Sequence, residues 1–223
     1  MPLQKNKKII VYFFLFILIG SINNKNIQNF KIKNIDQILV SGLSDKKNIE
    51  LKKNLDFLRF DNLFFLRKER MVEIIDSNNL VENYLVQKIY PSTLEIIIDK
   101  TNFLANFNKE GNYFLIGSNG KSIIAKEKNN DLPFIFGNFE IENFLKFKKM
   151  IDSSSIKFNE IENIYYFPSG RWDIEMYSDI LIKLPKDKVE EKLNLINDIL
   201  IDDQFKDIKI IDLRQKNQIV ING

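Results

Sequence analysis

The chain contains neither cysteine nor histidine. Without cysteine there is no disulfide framework, no thiolate nucleophile and no thiolate-bound metal. That absence assigns no compartment, because exported domains can do without disulfides. Without histidine there is no Ser-His-Asp triad, no HExxH zinc helix and no imidazole general base. Carboxylates alone could hold a metal, but no acidic group has the spacing of a calcium loop. Walker A and GxGxxG strings are missing too, so nothing supports nucleotide binding. Charge of one sign is also lacking: 33 basic residues face 30 acidic ones, for a net +3. A nucleic-acid binder would concentrate Lys and Arg far more unevenly. The expectation is a chain with no catalytic residues, no cofactor, no metal, no nucleic acid and no small-molecule substrate. Glycine and alanine are scarce while Ile, Asn, Lys and Phe abound, a bias of AT-rich coding rather than of chemistry. At 223 residues there is room for one large domain or two small ones.

What is present begins with Lys5, Lys7 and Lys8 ahead of an apolar run from Ile9 to Ile22. Fourteen helical residues rise about 21 Å, short of a hydrocarbon core of about 30 Å, so length alone fits a signal peptide as well as a span. A cleavable signal ends in a small-x-small site, and Ile19/Ser21 and Gly20/Ile22 each fail it at one position. An uncleaved transmembrane anchor over 9–22 is therefore expected over a cleaved signal, with snorkelling lysines lengthening it. The positive-inside rule leaves residues 1–8 as a cytoplasmic stub and exports the rest.

Residues 23–34 are polar and Asn-rich and read as a linker. The stretch 35–101 then has the order strand, helix, helix, strand, strand. Ile38–Gly42 is the first strand. Leu51, Leu55 and Leu58 mark one helical face behind a Ser44 cap, and Met71, Ile74 and Ile75 mark the next helix. Val81–Tyr90 and Leu94–Ile98 are strands separated by Pro91-Ser92-Thr93. Residues 102–223 change to short strands and turns. Gly117-Ser118-Asn119-Gly120 predicts a hairpin, since Asn-Gly tolerates positive φ. Amphipathic helices are predicted over Ile141–Met150 and over Val189, Leu193, Ile196 and Ile199. Further strands fall at 134–137, 164–167, 172–176, 180–184, 208–213 and 218–221, giving an antiparallel sheet flanked by two helices.

Several local strings resemble those of the FtsQ/DivIB family of bacterial cell division proteins, and the first module resembles a POTRA domain. Leu39-Val40-Ser41-Gly42 is similar to the family's V-x-G. Val86 to Ile96 is similar to V-x-R-x-x-P-x-T-L-x-I, and Leu132 to Gly137 to L-P-x-L-x-G. Trp172-Asp173-Ile174 and Ile211-Asp212-Leu213-Arg214 are similar to W-x-L and I-D-L-R. Asp99 to Ala105 keeps only charge and the alanine of the family's E-R-x-P-x-A, and Gln215-Lys216-Asn217 departs from its aromatic. The resemblance implies an α+β fold with an N-terminal transmembrane helix, a POTRA-like β-α-α-β-β domain, and a mixed antiparallel β-sheet domain with flanking helices. It implies a non-enzymatic bitopic scaffold of the divisome, in the inner membrane at the septum. Its partners would be FtsB and FtsL at the C-terminal sheet, and FtsW-, FtsI- or FtsK-like proteins elsewhere.

An open sheet edge offers unpaired N–H and C=O groups to an incoming strand, and side chains on alternate faces give selectivity. The expected docking strand is Gln218, Ile219, Val220 and Ile221, two residues from the end of the sequence with no later segment to cover it. The resemblance adds Arg171, where relatives carry a basic residue near the FtsB surface, and Arg214 of the I-D-L-R string. Arg171 could instead be an ordinary solvated side chain, and Trp172 is expected in the core. Two other readings stand beside this one. The first is an exported cell-wall enzyme using Ser and Lys, since Ser118 and Lys121 spell S-x-x-K, as do Ser44/Lys47 and Ser154/Lys157. In that chemistry the Lys follows the Ser by one helical turn, and Asn119-Gly120 forbids a helix there. The second is a POTRA-containing partner of outer-membrane assembly or secretion.

Overall fold

A run of apolar residues leaves a helix no polar face, and the side chains from Ile9 to Ile19 in helix α1 (Leu3–Ile22) all stand exposed. The computed structural model describes residues 3–22, 33–201, 208–215 and 218–222. Most of the expected linker, the turn at 216–217 and the Ile199 side chain lie outside the described residues. Among the described residues no helix is long and apolar enough to cross a membrane. The span expected over 9–22 is thus corrected to an apolar helix that falls short of one. Its first turns carry lysines, and the apolar part that follows is too short for the hydrocarbon thickness.

Strand β1 (Gln37–Ser41), helices α2 (Asp45–Asn54) and α3 (Lys68–Asp76), and strands β2 (Val81–Ile89) and β3 (Thr93–Lys100) follow in the expected order. The strands form a sheet ordered β1-β3-β2, with β1 parallel and β2 antiparallel to β3. Burial alternates along β3, so Leu94, Ile96 and Ile98 face the helices. There they meet Ile38, Leu51, Leu55 and Ile75 in one core. The Leu51/Leu55/Leu58 stripe is not one helix. α2 stops at Asn54 and Leu58 sits in a separate 3₁₀ turn, Asp56–Phe60. Ser44 holds the cap position with extended backbone but makes no capping bond. The Asn48 amide instead accepts from the Leu43 N–H and donates to the Leu43 carbonyl. Gly42 has φ of 103°, and a Cβ there would collide with the Ile98 carbonyl.

The second half forms a nine-stranded sheet. It consists of β4 (Phe103–Lys109), β5 (Asn112–Gly117), β6 (Ser122–Ala125), β7 (Phe134–Phe136), β8 (Ile161–Tyr166), β9 (Trp172–Met176), β10 (Leu181–Lys183), β11 (Ile210–Asp212) and β12 (Val220–Asn222). The order across it is β12-β11-β10-β9-β8-β7-β4-β5-β6. The antiparallel sheet expected here is a mixed one, because β10/β11, β7/β8 and β4/β7 pair parallel. Helix α4 (Ile141–Asp152) returns the chain between β7 and β8, and α5 (Val189–Ile201) between β10 and β11. A crossover of that kind brings the next strand in parallel. Both helices bury their apolar faces on the sheet, α4 through Phe144, Phe147 and Ile151, α5 through Val189, Leu193 and Ile196. Trp172 is core, stacked on Phe147 with ring centroids 4.8 Å apart.

The two sheets meet at a polar junction. The Glu82 carboxylate accepts from the hydroxyls of Thr101 at 2.8 Å and Ser118 at 2.7 Å. The Asn119 amide donates to the carbonyls of Asn79 at 3.0 Å and Val81 at 2.8 Å. Asn79 in turn donates to the Ser122 carbonyl, and the Lys121 ammonium to that of Asp76.

Candidate partner-binding edge

Strand β12 pairs antiparallel with β11, Val220 opposite Asp212 and Ile221 opposite Ile211. Among the described residues no strand pairs with its other edge. Gln218, Ile219 and Val220 are exposed, whereas Ile221 packs against the core. The strand therefore carries one side chain for the sheet and leaves its outer backbone and neighbouring side chains to solvent. It begins at Val220, two residues later than expected, so Gln218 and Ile219 belong to the approach.

Arg214 and Arg171, from two different strands of the same sheet, share one cleft. Arg214 follows β11 and donates from Nε to both Asp212 oxygens, at 2.8 and 3.0 Å. That bonding holds the Asp212 carboxyl below its ordinary range. Arg171 opens β9 and donates to Asp173 from Nε at 3.1 Å. Its guanidinium also lies over the Phe167 ring, 4.2 Å from the centroid. Asp173 is buried, which pushes its carboxyl up, while Arg171 pulls it down. Arg171 is thus fixed in place and is not the ordinary solvated side chain that the sequence also allowed. Both arginines line a cleft of about 590 Å³ with Lys186, Lys188, Glu191 and Lys192.

Asp173 and Asp212, which orient the two arginines, were missed in the sequence reading. The signal was Arg171-x-Asp173 and Asp212-x-Arg214, because residues two apart on a strand share a face. The three S-x-x-K strings build no Ser-Lys pair. Ser118 serves Glu82 and Lys121 serves Asp76 at the junction. Lys47 pairs with Glu50, and Lys157 with Glu160. Among the described residues no cluster of three or more acidic side chains could hold a metal.

Residues 105–214, which hold α4, α5, both arginines and most of the nine-stranded sheet, match the family model of the cell division protein FtsQ/DivIB C-terminal domain. Over those residues the chain belongs to the FtsQ/DivIB family. Cell division protein DivIB of Clostridium botulinum is 26% identical over 223 residues, covering 92% of this FtsQ/DivIB chain and 87% of that protein. Cell division protein FtsQ of Rhizobium meliloti is 22% identical over 192 residues, covering 84% of this chain. The chain spans 62% of that relative's length. The major extracytoplasmic domain of Geobacillus stearothermophilus DivIB, in its trans isomer, overlaps 43% of this chain and 87% of its own length. It is 14% identical with a TM-score of 0.34, too loose a superposition to carry an argument.

Proposed function

We propose that this FtsQ/DivIB chain is a non-enzymatic scaffold of the division machinery, held at the membrane by α1 and engaging partners through the nine-stranded sheet. The observation that carries this reading is the outer edge of β12, free of any strand among the described residues. Main-chain groups there supply affinity to an incoming strand, and exposed Ile219 and Val220 supply selectivity. Arg214 and Arg171, each already oriented by a carboxylate, line the cleft beside β11 and β9, where an acidic partner side chain could be met.

By family resemblance the incoming segment is FtsB with its companion FtsL, and the first unit, residues 35–101, is a POTRA-like domain that serves other division proteins. Exposed Ile9 to Ile19 support bilayer attachment of α1, since water is a poor solvent for such a helix. Co-purification of FtsB with wild-type and Val220→Asp chains tests the edge. Loss of FtsB from a folded Val220→Asp chain is expected, and undiminished FtsB would remove β12 as the docking strand. Depletion of the protein tests the cellular role, with filamentous, undivided cells as the expected outcome and normal division as the contrary one.

A further inference from the structure

The end of the three-stranded unit at which the chain comes in from α1 is aromatic and uncovered. Phe60 is 80% exposed, Phe65 75%, Tyr90 56% and Phe64 52%. Large apolar side chains gathered on one surface mark an interaction site more often than chance exposure does. Three segments assemble this patch. The Ile35 N–H donates to the Asp61 carbonyl at 2.9 Å, and the Asp36 N–H to the Ser92 carbonyl at 2.8 Å. Asn34 bridges Asn62, whose side chain accepts from the N–H groups of Phe64 and Phe65, both at 3.0 Å. That turn projects both phenylalanines outward, and the Phe64 ring reaches Tyr90 at 5.3 Å.

The opposite end of the unit is chemically different. β2 runs from Val81 and Glu82 at the polar junction to Ile89 beside Tyr90, nine residues or about 30 Å away. Polar groups therefore engage the second sheet at one end, and bare rings stand at the other.

We propose that Phe60, Phe64, Phe65 and Tyr90 rest on the surface of the bilayer to which α1 attaches, an inference that depends on the membrane reading of α1. The covalent path favours this occupant over others. Between Ile22 and Asn34 the chain can span at most about 40 Å, so the patch never leaves the neighbourhood of the lipid. Exposed Lys33 adjoins Asn34 and exposed Lys68 follows Phe65 by three residues, and both suit lipid phosphates. Rings with apolar faces beside cations fit the headgroup boundary, where aromatic side chains concentrate. Seated this way, the unit holds the polar junction and the second sheet clear of the membrane.

The absence of native cysteine allows single nitroxide labels in the full chain. Phe65→Cys, Phe16→Cys and Ile124→Cys are each labelled in vesicles of phosphatidylethanolamine and phosphatidylglycerol. The measurement is collision with oxygen against a water-soluble nickel complex. Labels at 16 and 65 are expected to shift toward oxygen, and the label at 124, on strand β6, to remain aqueous. Replacing Phe60 and Tyr90 by Ser should return the label at 65 to water, with Trp172 fluorescence reporting that the fold persists. A label at 65 that is aqueous while that at 16 is in lipid overturns this inference and leaves the α1 reading intact. Aqueous labels at both positions overturn both. A label at 65 that is aqueous in vesicles and immobilised only by an added protein would assign the patch to that protein instead.

Discussion

The Glu82 carboxylate accepts a hydrogen bond from the Ser118 hydroxyl, 2.7 Å away and 36 positions along the chain. The same Oε2 accepts from Thr101 at 2.8 Å. One acceptor thus joins β2 of the first sheet to the β3–β4 connection and to the β5–β6 hairpin of the second.

Glu82→Ala leaves both hydroxyls without that acceptor. A loss of about 1–3 kcal/mol is expected in denaturant unfolding, with Glu82→Gln losing less because its amide oxygen still accepts. Equal midpoints for Glu82→Ala and wild type would show that the junction contributes nothing to stability.

Gly42 and Gly137 each close one of the family-like strings, and both have positive φ, 103° and 106°. A Cβ at Gly42 would meet the Ile98 carbonyl, and one at Gly137 the Tyr166 carbonyl. Alanine at either position is expected to destabilise by at least about 2 kcal/mol, because strain and a backbone clash act together. Urea melts of the single variants check this, and Gly111→Ala, with open space around it, is the comparison for strain alone.

Trp172 is the sole tryptophan and packs between Phe147 at 4.8 Å and Tyr166 at 4.5 Å. Trp172→Ala should cost about 3–5 kcal/mol and abolish partner binding through loss of the fold. Arg171→Lys, which keeps a cation beside the buried Asp173 carboxylate, should leave the melting curve much closer to wild type while weakening capture of an acidic partner. A Trp172→Ala chain as stable as wild type would place the ring outside the core.

Tyr165 donates to the Glu175 carboxylate at 2.5 Å. Burial and that bond push its hydroxyl from the ordinary 10 up to about 12. The folded chain keeps a proton that the unfolded chain gives up, so stability should fall as pH rises from 10 to 12. Asp212 works in the opposite sense. Arg214 holds it low, so its contribution is present above the ordinary 3.8 and is lost as pH falls through the lower folded value. Unfolding free energies across pH for Tyr165→Phe and Asp212→Asn should lose the alkaline and acid slopes respectively. A slope unchanged in its own variant would reassign that arm.

Local pattern made much of this architecture legible. A β-rich run after Pro91-Ser92-Thr93 located β3, helical spacing located α3, α4 and α5, and Asn119-Gly120 located the β5–β6 hairpin. Where one residue had to serve two elements the reading slipped. Leu51, Leu55 and Leu58 keep helical spacing across a helix end, because a 3₁₀ turn carries Leu58 to the same core. Parallel pairing was not legible either, since a strand's own side chains look alike beside a parallel or an antiparallel neighbour.

The sequence by itself determined most of the elements, the family resemblance and the excluded chemistries, because periodicity, short strings and missing residue types are local properties of the chain. Tertiary structure alone decided which strand lies at the edge, which carboxylate holds each arginine, and that Ser118 serves a junction. Those facts depend on residues distant along the chain being brought within hydrogen-bond reach, as 36 positions separate Glu82 from Ser118.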